Sequence, residues 1–422
     1  MAPYPEWILE ERLAGTGLRR FSEHGRERPA PAEPAEVYEC CEPALHVPRR
    51  WGLSAEAVAH LGDRLSQFWL RFRDCFTTRT RDTSAHAYAY LRAQLTMDTE
   101  RNFANMDRTL HGGDGQALQH FMSNSPWSGP AVFEQIQAEI KAIPALAHGS
   151  TLILDESADE KAGTHNAGAS RQYNGRLGKV DVCRVDTCLT YANGGLWTMV
   201  DGELFLPEEW FGAAFAQTRQ ELGIPPDRTF ETKIALGLKM VKRVKAKGVP
   251  FDLLACDALY GRDSQFRADL AAENVQYAAQ VPADTLVYLS EPRVGIPPKW
   301  GQRGRPRTRL RVLSGQRPQE VRALAQHPQT AWQRVQVRLT ERGWLTADFA
   351  VRRVWTVAAG QRPRAEWLVM RRNSEGDGSY TLLNAPTDTK QACLIAPSSR
   401  RHSTQRTFEH AKTETGWDES HA

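Results

Sequence analysis

The chain has 422 residues, 41% hydrophobic and 25% charged, which is length and apolar content for two or three globular domains. Its 54 basic and 50 acidic residues leave a net charge of +4, so the total says little about partners and the placement of charge has to be read instead. Seven cysteines (40, 41, 75, 183, 188, 256, 393) contain no CxxC pair, which argues against a zinc site and a disulfide framework. No segment approaches the roughly eighteen apolar residues of a membrane span, so a soluble, cytoplasmic protein is expected.

Residues 1–47, with "RERPAPAEPAE", predict a flexible arm or linker. From Ser54, a plausible helix cap, apolar residues recur at helical spacing: Val58, Leu61, Leu65, Phe68 and Phe72. Further helical stretches around 85–107, 115–122 and 130–142 make 48–145 a helical domain. "STLILDES" (150–157) then reads as a short buried strand that ends in acid. "VDVCRVDTCLTYA" and "LWTMVDGELFLP" alternate around the turn "NGG" (193–195) and predict a hairpin. A helix over 227–248 with a basic last turn is followed by a second buried strand ending in acid, "PFDLLACDALYG" (250–261). A helix (263–273) and the strand "VQYAAQVP" complete an α/β layer over 146–282. Residues 283–396 are mostly β, and 397–422 predict a final helix.

Two carboxylates stand out. Asp155 ends the apolar run "LIL" and Asp257 ends "LLAC". Acids delivered by neighbouring parallel strands present hard oxygen ligands for Mg²⁺ or Mn²⁺, and such ions activate the attacking oxygen and stabilise the leaving oxygen in phosphoryl transfer. Spacing alone does not distinguish this from ordinary loop-starting acids. A row of arginines in "PPKWGQRGRPRTRLRVLSGQR", including Arg303, Arg305, Arg307 and Arg309, would share one face if extended and could follow DNA phosphates. "RGRPR" also resembles the minor-groove core of AT-hooks, and a surface loop is an equal reading.

The words around the two acids resemble a known family. "DESADEKAGTHNAGASRQYNGRLGKVDVC" (155–183), "CDALYGRD" (256–263), "SNSPW", "WLVMRR" and "LNAP" are similar in content and order to blocks of bacterial insertion-sequence DDE transposases. The resemblance implies an RNase H-like core with an inserted β-rich domain (283–396), a metal on Asp155 and Asp257, and terminal inverted repeats as DNA partner. It also implies a homodimer on paired ends. The family's last catalytic helix carries Tyr-xx-Arg-xxx-Glu-xxxxxx-Lys; "RRHSTQRTFEHAKTETG" supplies Ser398, Arg401, Gln405 and Lys412 in that register. Arg401 and Lys412 take the DNA-backbone positions, while an amide at Gln405 stands where the third acid is expected. Glu409, one turn further, is the nearby replacement candidate. With the ending at "GWDESHA", this predicts a shortened and impaired copy: a DDE transposase, an inactive DNA-binding derivative, or a metal-dependent nuclease built on the same two aspartates.

Overall fold

The computed structural model describes residues 60–397 except 98–100, 161–165, 176, 195, 299–306, 314, 341–342 and 374–377. The arm 1–47, Ser54, Arg303, Arg305, Arg401, Gln405, Glu409 and Lys412 lie outside the described residues.

Among the described residues five α-helices come first: α1 (Leu61–Phe72), α2 (Ser84–Thr96), α3 (Phe103–His111), α4 (Gln116–Asn124) and α5 (Gly129–Ala142). The stretch predicted as one helix over 85–107 is two. Met97 turns to extended backbone, and Asn102 starts α3 by accepting from the Asn105 amide at 2.9 Å. In α1, Trp69 and Phe72 are buried, whereas Leu61 and Phe68, expected on the inner stripe, are 50% and 41% exposed. Aromatic packing among Trp69, Phe76, Phe121 and Trp127 fills the centre of this layer. Helix α5, capped by Ser128, joins it to the sheet. Ile140 enters the main core, and the Gln137 side-chain amide donates to the Val200 carbonyl at 2.8 Å.

Ten strands form one sheet. In chain order they are β1 (Thr151–Glu160), β2 (Ser170–Asn174), β3 (Lys179–Asn193), β4 (Leu196–Phe205), β5 (Leu253–Cys256), β6 (Tyr277–Val281), β7 (Gln333–Thr340), β8 (Gly343–Thr356), β9 (Arg364–Arg372) and β10 (Gly378–Leu383). Three helices alternate with the central strands: α6 (Lys233–Ala246), the single turn α7 (Ala258–Gly261) and α8 (Ser264–Ala272). A short helix, α9 (Gln391–Ile395), follows β10 and is the last among the described residues. The neighbours run β7-β8-β9-β10-β6-β5-β1-β3-β2, with β4 also on β3. Among the described residues only β1–β5 and β5–β6 are parallel, the two pairs whose connections pass through α6 and through α7–α8. The β-rich segment is therefore continuous with the central sheet, because β10 pairs antiparallel with β6 from Tyr380↔Val281 to Leu383↔Ala278.

The sheet is covered on both faces. Leu152, Leu154, Leu254, Cys256, Tyr277 and Ala279 point into the main core beneath α6 and α8. Ile153 and Ala255 face the other way, against Ala192 and Trp197. Cys183, Cys188 and Cys256 are buried free thiols, the small core residues that their apolar surroundings predict.

Candidate active site

Asp257 sits where it was expected, one residue past the end of β5. Its Oδ1 caps α7, accepting from the amides of Leu259 at 2.9 Å and Tyr260 at 3.4 Å. Asp155 does not end its strand. β1 runs on to Glu160, and Asp155 pairs with Cys188 in the middle of it. What ends at this level is the parallel ladder to β5, whose last row is Leu154↔Cys256. The acids after Leu154 stay extended because β3 is long enough to pair them on the other side. Asp155 and Asp257 thus each come directly after the last paired row of two neighbouring strands, whose spacing is about 4.8 Å. Alternation turns Asp155 toward the Ile153 face, away from the main core, while Asp257 lies past its strand at the start of α7.

Three further residues complete the surroundings. Glu156, on the opposite face from Asp155, holds Lys233 of α6, with Nζ 3.2 Å from Oε2. Burial pushes the Glu156 carboxyl up, Lys233 opposes this, and the charges of Asp257 and Asp155 add to the rise. The same three acids act on the buried Tyr260 hydroxyl, which burial first and their charge second raise well above the ordinary tyrosine range. That both aspartates act on Glu156 and on Tyr260 places all four groups in one neighbourhood. Lys233 also lies over the Phe205 ring, 5.2 Å from its centroid.

Close backbone approach builds this corner. A Cβ on Gly261 would overlap the carbonyl oxygen of Gln280 on β6, and one on Gly237 would come within 2.6 Å of Leu154 Cδ2. Glycine at these points lets α7 and α6 reach the sheet. The Tyr260–Gly261 pair was visible in the sequence; the Glu156–Lys233 pairing was not, since its partners lie 77 positions apart.

Asp155 and Asp257 offer hard carboxylate oxygens, the donor type that suits a divalent cation. Among the described residues no group of three or more His, Cys, Asp or Glu is arranged to hold a metal. Arg307 and Arg309 are exposed, just before a two-residue strand (Arg311–Val312) that pairs with Val294–Gly295 in a separate small sheet.

The order β4-β3-β1-β5-β6, antiparallel through β1 and parallel beyond it, is that of an RNase H-like fold. The chain belongs to the DDE superfamily endonuclease family, whose profile matches residues 71–343. It is also 27% identical, over 212 residues, to a protein of Microchaete diplosiphon described as a probable transposase for insertion sequence element IS701. That match covers 49% of this chain and 51% of the relative, so the chain spans about half the length of the curated relative it matches. No helix among the described residues is long and apolar enough to cross a membrane.

Proposed function

We propose that the chain is a DDE-type transposase that acts on the DNA ends of its element by metal-dependent phosphodiester cleavage and strand transfer. The observation that supports this reading is that Asp155 and Asp257 each follow directly on the last paired row, Leu154↔Cys256, of two adjacent parallel strands. In it, these two residues hold Mg²⁺ or Mn²⁺, and the bound ion supplies activation of the attacking oxygen and neutralisation of the leaving one. Capping by α7 fixes the Asp257 carboxylate, and Lys233 offsets the charge of Glu156 so that three acids can stand together.

By the register of the family's last catalytic motif, Gln405 stands at the third-acid position with Glu409 as its replacement candidate, and Arg401 and Lys412 contact the DNA backbone. Arg303, Arg305, Arg307 and Arg309 are further phosphate contacts, and the active species is a homodimer on paired terminal inverted repeats.

Gln405 favours a second reading: a transposase-derived protein that occupies DNA ends without cutting. An amide offers a metal one neutral oxygen and no charge. Purified chain incubated with labelled duplexes from the flanks of its own gene, with Mn²⁺, separates the two. Cleavage that vanishes in Asp155→Ala supports the enzyme. Binding without cleavage, with cleavage appearing in Gln405→Glu, supports the impaired form. Absence of both binding and cleavage overturns the proposal.

A further inference from the structure

The hairpin β2–β3 carries a one-sided patch. Along β3 the residues on the Asp155 side are Cys188, Asp186, Arg184, Val182 and Val180, since Asp155 is the direct partner of Cys188 and the register is unbroken. Across from Val182 and Val180 stand Arg171 and Tyr173 of β2. Direct antiparallel partners share a face, so Tyr173, Val180 and Arg171 lie on the same side of the sheet as the aspartate. Tyr173 is 63% and Val180 54% exposed, whereas Asn174 and Cys183, on the other side of the hairpin, are fully shielded. A large exposed aromatic paired with an exposed valine, on a projecting two-stranded ribbon, is costly unless something covers it.

We infer that this face of the hairpin is a DNA-contacting finger, with Tyr173 and Val180 packed against a base step and Arg171 on the adjoining phosphate. The inference rests on the transposase reading above. Two observations choose duplex DNA as the occupant. First, DNA lying over Asp155 along the direction of β3 passes directly over this patch. Eight residues at about 3.3 Å each separate the Cys188 row from the Val180 row, about 26 Å, or roughly eight base pairs. Second, the charge beside Tyr173 is that of the exposed Arg171; nearer Asp155 the same face carries Asp159, the direct partner of Arg184, and the Arg184–Asp186 pair at 3.3 Å. Apolar side chains pressed against a base step between phosphate-bound cations are an established way to hold and bend a duplex.

The test uses the full chain and the labelled flank duplex, with Ca²⁺ replacing Mn²⁺ so that binding is read without cleavage. Tyr173→Ala is expected to weaken binding about tenfold with the salt dependence unchanged, as for loss of one stacked base. Arg171→Ala is expected to lower the salt slope by about one. Tyr173→Phe should bind like the unaltered chain, and because Tyr173 is exposed all three variants should melt at the unaltered temperature. Unchanged affinity of Tyr173→Ala overturns the inference. So does a fall in its DNA-free mass from dimer to monomer, which marks a contact between copies. If Asp155-dependent cleavage is present while Tyr173→Ala is indifferent, the inference fails and the transposase reading stands. Failure of the unaltered chain to bind overturns both.

Discussion

Arg267 on α8 and Glu366 on β9 form an ion pair with Nε 3.2 Å from Oε1, their side chains 2% and 0% exposed. Glu366 also accepts from the Tyr277 hydroxyl at 2.5 Å and from Thr356, while Arg267 donates to the Gly261 carbonyl. One carboxylate thereby links β6, β8, β9 and α8, joining the strands of the β-rich segment to the helix that follows α7 and its cap Asp257. Glu366→Ala leaves a buried guanidinium and two hydroxyls without their acceptor. The expected loss is about 3–5 kcal/mol, read from urea unfolding. Glu366→Gln, which keeps an acceptor, should cost less; equal loss in the two would show that charge matters more than hydrogen bonding here.

Asp257→Asn separates chemistry from stability. Asparagine caps a helix as well as aspartate does, so the melting temperature should hold. Loss of a metal-binding charge worth several kcal/mol should lower cleavage about a thousandfold. DNA binding in Ca²⁺ should remain. A cleavage rate within a few-fold of the unaltered chain would remove Asp257 from the metal site.

Gly261→Ala tests the tight junction of α7 with β6. The added methyl meets a backbone carbonyl that cannot rotate away, so a loss of about 1–3 kcal/mol is expected in denaturant titration. Gly175→Ala serves as the control. Its Cβ would meet nothing within 4 Å, and it should be nearly silent.

Acid stability follows from Glu203. Burial works to raise its carboxyl, but Arg243, Lys239 and Arg228 outweigh this and hold it below the ordinary range. A folded-state pKa below the unfolded one means stability that is present above the unfolded value, about 4.3, and is lost as the pH falls through the folded value. Melting temperature should therefore drop on acidification below about pH 4.5, and Glu203→Gln should flatten that part of the profile while lowering the plateau at neutral pH. An unchanged slope in Glu203→Gln would assign the acid lability elsewhere.

What the sequence disclosed depended on how local each signal was. Asp257 was legible because an apolar strand, an acid and a helix start follow one another within a few residues. The course of β1 past Asp155 was not, because its extension is dictated by β3, a partner met only after a long excursion. Asn193 and Gly194 marked the β3–β4 turn, yet β2, a five-residue polar strand, left no periodicity to read. The exposure of Leu61 and Phe68 shows the limit of a helical stripe. It tells which residues align, not whether anything lies opposite them. The Arg267–Glu366 link joins positions 99 apart, and nothing in either neighbourhood announces the other.

The pairing of β10 with β6 also has a consequence for synthesis. Until residues 378–383 have left the ribosome, the outer edge of β6 displays bare amides and carbonyls on a strand whose neighbours are already in place. A nascent chain halted between these points is an open template for strand addition from another molecule. Chains that meet one another before β10 emerges are the ones expected to be lost to such pairing.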